Sequence, residues 1–301
     1  MNLCTSTLSG FDFNQALDIA VASECSGIEL RVADSYHKSL HELSESGPCV
    51  TRAVNDRGLK LAVLNSYIPI EDDHAVDQLI TAAQAMGVPK ARVVLPRAAR
   101  AAVASQANIK EGIPSYHSHL KPNELIDKLM VSLVRLEEKA RNAGVQILLE
   151  LHWGTVMSSF SSAFLLVREL DPRYVGITFD PANMMVEGKE DWEYGLTLIS
   201  DYIANVHVKN VSWKASEDGW TWEWAAMEQG MLDWPHLIFL IRQCGYHGDC
   251  AIEDFRVPCD SVEHAVEHVK EIRRCYEDMC EDNKYFDIAR YNPTPEMLAT
   301  L

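Results

Sequence analysis

Four ionisable residues in the second half of the chain each follow or interrupt a short apolar run: Glu150 closes ILLE, Asp180 closes ITFD, His207 closes NVH and Glu253 closes CAIE. One acid at a strand end is ordinarily a solvated or salt-bridged group. Three carboxylates and an imidazole brought to one place would repel and raise one another's pKa values, and a divalent cation resolves that conflict. Oxygen donors with a single histidine suit Mn²⁺ best, with Mg²⁺, Co²⁺ or Zn²⁺ as alternatives. Further polar side chains keep strand spacing with this set, because residues two apart on a strand share a face: His152 with Glu150, Lys209 with His207, and Glu29 with Arg31 in GIELR. Arg97 and Arg256 fall just past apolar runs and could meet a polar substrate. Five of the seven tryptophans (213, 220, 222, 224 and 234) crowd into one segment after His207. The alternation of Trp220, Trp222 and Trp224 reads as extended chain, either a sugar-binding cover or a subunit contact.

The elements that must position these groups alternate regularly. Apolar runs at 2–8, 27–32, 58–66, 91–96, 145–151, 174–180, 203–209 and 249–255 read as strands. Between them lie amphipathic stretches with helical spacing, among them 13–25, 73–86 closed by Gly87, 122–143 closed by Gly144, 160–170, 192–201, 234–244 and 261–280. Strands buried on both faces and separated by helices imply a parallel sheet. Eight such units close most simply into a single (β/α)₈ TIM barrel, whose active site lies at the C-terminal ends of the strands. An open doubly wound sheet is disfavoured because no G-x-G-x-x-G follows the first strand. The barrel is assigned to residues 1–280 and a C-terminal tail to 281–301, a segment suited to wrapping the surface or a partner subunit. The connection from Arg97 to Lys121, with Tyr116, His117 and His119, is long enough to be either functional or a missed element.

Composition excludes other classes. The 301 residues carry 27 Lys+Arg against 44 Asp+Glu, a net charge of −17, and no basic run exceeds the pair Arg273–Arg274. Nucleic acid and an anionic membrane are therefore not expected as partners. No apolar stretch is long enough to span a bilayer, and the first residues lack a signal peptide's pattern, so a cytoplasmic protein is expected. The eight cysteines form no CxxC pair and are expected to be reduced, mostly small apolar fillers.

Taken together, GIELR, LLELH, FDPAN, HVKN and AIEDF, in that order, resemble the xylose isomerase-like TIM barrel superfamily, the sugar phosphate isomerase/epimerase group, from residue 2 to about 280. The run 227–255, MEQGMLDWPHLIFLIRQCGYHGDCAIEDF, is similar to that group's approach to its last metal glutamate. The resemblance implies a metal held by Glu150, Asp180, His207 and Glu253. It also implies that Glu150 and Glu253 pass a proton through a cis-enediolate, while His152 and Lys209 orient substrate oxygens. It departs at Asn183, where many relatives carry His. It departs again at Trp213 and Val156, where ketose 3-epimerases carry Arg and Glu. The AP endonucleases that share the barrel need a trinuclear site with several more histidines; Asn183 replaces one of these, and no Asp-x-His pair follows strand seven.

Three functions follow as expectations. The first is a divalent-metal-dependent isomerase or epimerase of a keto sugar or related polyol ketone. The second is a lyase of the same superfamily, either a dehydratase of the inosose or dehydroshikimate type or a 3-keto-glycoside deglycosidase with a small partner subunit. There His152 is the base and the Trp-rich loop holds the leaving group. The third is a degenerate scaffold, against which the intact ligand set argues. A hydride shift is disfavoured because only Asp254 adds to the cluster. Glu150, Glu253 and His152 are the catalytic candidates; His152, Lys209, Asn183, Arg97, Arg256 and Trp213 are the substrate-binding candidates. A small carbohydrate substrate and a homo-oligomer are expected.

Overall fold

A computed structural model describes residues 1–97, 120–187, 190–217 and 219–281. Within them, eight parallel strands close into a barrel in the order β1-β10-β7-β6-β5-β4-β3-β2. The strands are β1 (Asn2–Cys4), β2 (Gly27–Val32), β3 (Lys60–Pro69), β4 (Lys90–Val94), β5 (Gln146–Glu150), β6 (Val175–Phe179), β7 (Ile203–Val208) and β10 (Cys250–Ile252). A separate hairpin, β8 (Asn210–Ser216) with β9 (Gly219–Ala225), is inserted after β7.

The outer ring is laid down by ordinary helix signals. Helix α1 (Phe13–Ala22) begins with a reciprocal capping box between Asp12 and Gln15, and α2 (Leu40–Asn55) begins with one between Ser39 and Glu42. Pro48 lies inside α2, which kinks at Ser46 because proline cannot complete the helical ladder. Helices α3 (Asp73–Met86) and α4 (Pro122–Ala143) end at Gly87 and Gly144, both in the left-handed region that glycine enters without strain. Helices α5 (Phe160–Val167) and α7 (Trp192–Ile199) cross so closely that a Cβ on Gly195 would stand 1.9 Å from the Phe160 ring. Helices α8 (Trp234–Gln243) and α9 (Val262–Glu281) complete the ring. Their buried apolar faces join the outward faces of the strands in one continuous core.

Two local departures from the expected pattern matter for the site. The run 2–8 is not one strand: after Cys4 the chain turns into a 3₁₀ helix over Thr5–Leu8. The Thr7 hydroxyl donates to the Cys4 carbonyl oxygen, and Thr5 Oγ1 accepts from the Arg31 amide. Hydroxyl side chains thus offer the backbone an alternative to the ladder. A short helix not anticipated, α6 (Pro181–Glu187), follows β6 directly. Pro181 suits a first helical position, and Asp180 Oδ1 accepts the Asn183 amide at 3.0 Å as a cap. Asp180 is thereby anchored through one oxygen, leaving Oδ2 directed elsewhere.

All eight cysteines are free. Among the described residues no helix is long and apolar enough to cross a membrane. Of the expected 281–301 tail only Glu281, the last residue of α9, is described, and most of the 97–121 connection lies outside the described residues.

Candidate metal centre and the relatives of the chain

The four strand-end residues converge. Glu150 is the last residue of β5, Asp180 follows β6, His207 is the penultimate residue of β7, and Glu253 follows β10. All four are buried, and one donor atom from each lies within 4.8 Å of the others. His207 Nδ1 is 3.0 Å from Glu150 Oε1, 3.1 Å from Glu253 Oε2 and 3.5 Å from Asp180 Oδ2. Two donors about 2.1 Å from one hard cation at right angles stand about 3 Å apart, so these spacings fit an ion at their centre.

The other face of the imidazole is held in place. His207 Nε2 donates to Glu29 Oε2 at 3.0 Å, and Glu29 is itself held by Asn205 Nδ2 at 2.7 Å and Asn65 Nδ2 at 3.4 Å. An outer carboxylate of this kind fixes ring orientation and leaves the inner nitrogen as donor. Burial opposes a charge on His207, but the Glu253 and Glu29 carboxylates outweigh it and hold its pKa well above the usual imidazole value.

Counter-ions complete the cluster. Arg92 Nη1 sits 2.7 Å from Glu150 Oε2 and donates to Asn65 Oδ1 at 2.9 Å. Burial alone would raise the Glu150 pKa; the Arg92 guanidinium reverses this and holds it at about 2. Lys209 Nζ lies 2.6 Å from Asp180 Oδ2 and donates to Glu253 Oε2 at 2.5 Å. Burial disfavours its charge, but Asp180 and Glu253 more than compensate, so its pKa is raised. Ser6 Oγ donates to Glu253 Oε1 at 3.2 Å, and His207 and Lys209 keep Glu253 well below the usual carboxylate range against the effect of burial.

The donor set still has unmet capacity. Glu150 Oε2 and Asp180 Oδ2 have cations nearby, yet no donor lies in hydrogen-bonding alignment with either oxygen. Four buried carboxylates (Glu29, Glu150, Asp180 and Glu253) face two permanently cationic contacts, Arg92 and Lys209. A protonated His207 leaves this set net negative, whereas a divalent cation beside a neutral imidazole balances it. The residues therefore fit a divalent metal, with Glu150, Asp180, His207 and Glu253 as its donors.

The remaining candidates separate. His152 reaches the rim of the cluster; its Nδ1 is 2.7 Å from the Trp153 carbonyl oxygen, and burial holds its pKa below the usual value. Since a carbonyl only accepts, Nδ1 carries the proton and Nε2 is left as a base. Asn183 is used structurally: Nδ2 donates to Glu150 Oε1 at 3.4 Å and to the Leu151 carbonyl oxygen at 3.3 Å. Arg256 is not brought to the cluster. It donates to Asp254 through Nε and Nη2, on the side where Asp254 also meets His268 of α9, because successive residues at a strand end point to opposite faces. The Trp213 indole is likewise engaged elsewhere, donating to the Met185 carbonyl oxygen of α6 at 2.9 Å. Arg97 makes a single backbone bridge with Thr155.

The tryptophan segment is extended, as its alternation implies. Trp213 pairs with Trp222 across the hairpin. Trp222 leans on Trp153 at 5.9 Å and on Trp224 at 4.9 Å, Trp224 on Phe255 at 5.4 Å, and Lys209 Nζ is 5.1 Å from the Trp224 ring. An aromatic wall thus rises beside the lysine. Sequence reasoning missed Arg92, Asn65, Asn205 and Cys4; the first three were visible as polar residues inside otherwise apolar strands. Cys4 is no mere filler, since it accepts from Asn65 Nδ2 at 3.2 Å and lies beside Glu253. Burial, with Glu253 and Glu29 nearby, pushes its thiol up to about 12.

The sequence profile of the xylose isomerase-like TIM barrel family matches residues 17–275. The chain belongs to that family. Inosose dehydratase of Lacticaseibacillus casei is 24% identical over 141 residues, which cover 42% of this chain and 46% of that protein, so the match spans about half the length of this curated relative. Among solved structures, the IOLI protein with a bound zinc atom shares 16% identity at a TM-score of 0.68, covering 95% of this chain and 99% of that one. The 3-keto-D-glucoside 4-epimerase YcjR from E. coli shares 17% identity at a TM-score of 0.62, covering 87% and 94%. These two share the fold. The xylose isomerase-like relatives thus include both an epimerase and a dehydratase.

Proposed function

We propose that the protein is a divalent-metal-dependent isomerase or epimerase that moves a proton beside the carbonyl of a polyhydroxylated ketone. The observation that carries this reading is the placement of Glu150 Oε1 and Glu253 Oε2 at 3.0 and 3.1 Å from one imidazole nitrogen, with Asp180 completing the set. A bound cation, with Mn²⁺ as the first choice and Mg²⁺, Co²⁺ or Zn²⁺ as alternatives, supplies a Lewis acid that acidifies the neighbouring C–H. Glu150 and Glu253 flank the substrate carbon, one taking the proton and the other returning it. Lys209 donates to a substrate oxygen through Nζ and stabilises charge that develops there. The Trp153, Trp222, Trp224 and Phe255 wall packs against the sugar ring and excludes water.

A second reading, a lyase, is favoured by one observation. His152 carries its proton on Nδ1 and has a lowered pKa, which makes Nε2 a better base at neutral pH than a glutamate held at low pKa by Arg92. The dehydratase relative points the same way. Both paths begin with the same proton abstraction and differ in whether a group leaves from the adjacent carbon.

Incubating the Mn²⁺-loaded protein in D₂O with keto sugars, inososes and 3-keto-glycosides separates them. Deuterium next to the carbonyl with all other atoms retained supports the isomerase or epimerase. Loss of water or an aglycone assigns the lyase, and turnover without deuterium assigns a hydride shift. Asp180→Asn should abolish turnover and weaken Mn²⁺ binding; unchanged Mn²⁺ affinity would remove the proposed metal centre.

A further inference from the structure

Arg31 is a buried guanidinium with no acid beside it among the described residues. It follows Glu29 by two residues on β2, so both side chains face the barrel interior, with Arg31 about 6.6 Å nearer the mouth. Its side chain is 2% exposed, yet Nε and Nη1 have no hydrogen-bond partner among the described residues; Arg92 likewise leaves Nε and Nη2 unpartnered but has Glu150 beside it. Among the described residues no carboxylate pairs with it. Its neighbours are the Tyr67 ring, 3.7 Å from the guanidinium carbon, and the Tyr36 ring at 5.0 Å. Tyr67 also lies 6.3 Å from His152, which puts the group on the same side of the mouth as the candidate base. Burial lowers the Arg31 pKa, and Arg92 nearby adds a like charge. A buried guanidinium without an anion is costly, and an unsatisfied buried donor calls for a partner.

We infer that Arg31 is an anion subsite of this active site and that the substrate carries a carboxylate, making it a polyhydroxylated keto acid or cyclic hydroxy acid rather than a neutral sugar. This rests on the proposed function for the identity of the site, but not for the charge requirement. A carboxylate matches a guanidinium in planarity and charge, and each orphan N–H, Nε or Nη1, lies on an edge that can donate to it. A dianionic phosphate would call for several cations, whereas Arg92, the cation beside Arg31, is already committed to Glu150.

Two measurements test this. First, Arg31→Met should raise Tm in the ligand-free protein, because removing an unpaired buried charge relieves a penalty; a fall of several degrees would make Arg31 structural and overturn the inference. Second, binding of D-glucuronate, D-glucuronamide, quinate and D-fructose 6-phosphate is titrated calorimetrically against wild type and Arg31→Lys, with and without Mn²⁺. At least one carboxylate probe should bind wild type about tenfold or more tighter than the neutral amide, and Arg31→Lys should lose most of that preference. No preference for a carboxylate probe, a preference untouched by the substitution, or tighter binding of the phosphate ester overturns it. Mn²⁺ affinity is read in the same titrations. Its absence defeats the metal-centre reading alone, while amide against acid still decides Arg31.

Discussion

Arg92 and Arg31 are both buried guanidinium groups close to the Tyr67 ring, at 4.2 and 3.7 Å, and they differ in what else they touch. Arg92 lies against Glu150 and donates to Asn65, inside a cluster where acids and bases answer one another. Arg31, nearer the mouth, has aromatic rings and, among the described residues, no acid. The interior near β4, β5 and β7 is thus built to hold charge that the protein itself supplies. The upper part of β2 holds a charge for which the described residues supply no acid, the partner inferred above being the substrate. A guanidinium whose charge is saturated by an acid serves position, even with N–H groups to spare, and one left without an acid serves recognition.

The largest effect should come from breaking the saturated side. Arg92→Met leaves Glu150 buried beside three other carboxylates and should destabilise the ligand-free protein by about 3–5 kcal/mol, the usual cost of removing one partner of a buried pair. Urea denaturation measures it, and a neutral result would erase the contrast with Arg31→Met. Next, Glu29→Gln should weaken metal binding by about 10–100-fold, as loss of an outer carboxylate to a ligating histidine does, with a smaller change in Tm. Chelator competition checks it, and unchanged affinity would show that Glu29 does not orient His207.

The pH dependence follows from His207. Its folded pKa is raised above the usual value by Glu253 and Glu29, despite burial. The protonated ring therefore stabilises the metal-free protein fully below about pH 6.5, and that stabilisation is lost as pH rises through the folded pKa. Metal must displace this proton, so affinity should climb about tenfold per pH unit below the folded pKa and level off above it. An affinity flat from about pH 6 to pH 8 would show that His207 is not a protonated ligand awaiting metal. The smallest effect is expected at the aromatic wall. Trp222→Ala should raise KM a few-fold, by about 1 kcal/mol of stacking, and leave kcat nearly unchanged; steady-state kinetics with the substrate found in D₂O measures this.

Much of this was legible before any coordinates. Near-continuous apolar runs alternating with helical spacing imply a closed parallel sheet, and the eight-stranded barrel is observed. In such a sheet only strand ends can present ionisable groups to a common mouth, so ILLE, ITFD, NVH and CAIE already brought out Glu150, Asp180, His207 and Glu253. Local competition was harder to read. The hydroxyls at Thr5 and Thr7 turned the seven residues expected as one strand into a three-residue strand and a 3₁₀ turn, and Asp180 doubled as cap of α6. Proximity to a strand end also misled at Arg256, because the parity that sends Glu253 inward sends Asp254, and Arg256 with it, toward α9.

Residue type and period, carried by the chain alone, determined the architecture and which groups could ligate, since burial patterns and strand parity are properties of neighbours in sequence. Which charges neutralise which was decided only by tertiary structure. Glu29 with His207, Arg92 with Glu150 and Lys209 with Asp180 join strands up to 178 residues apart in sequence. The same closure left Arg31 without an acid among the described residues, because pairing energy in a low-dielectric interior depends on ångström distances that strand order and barrel register set.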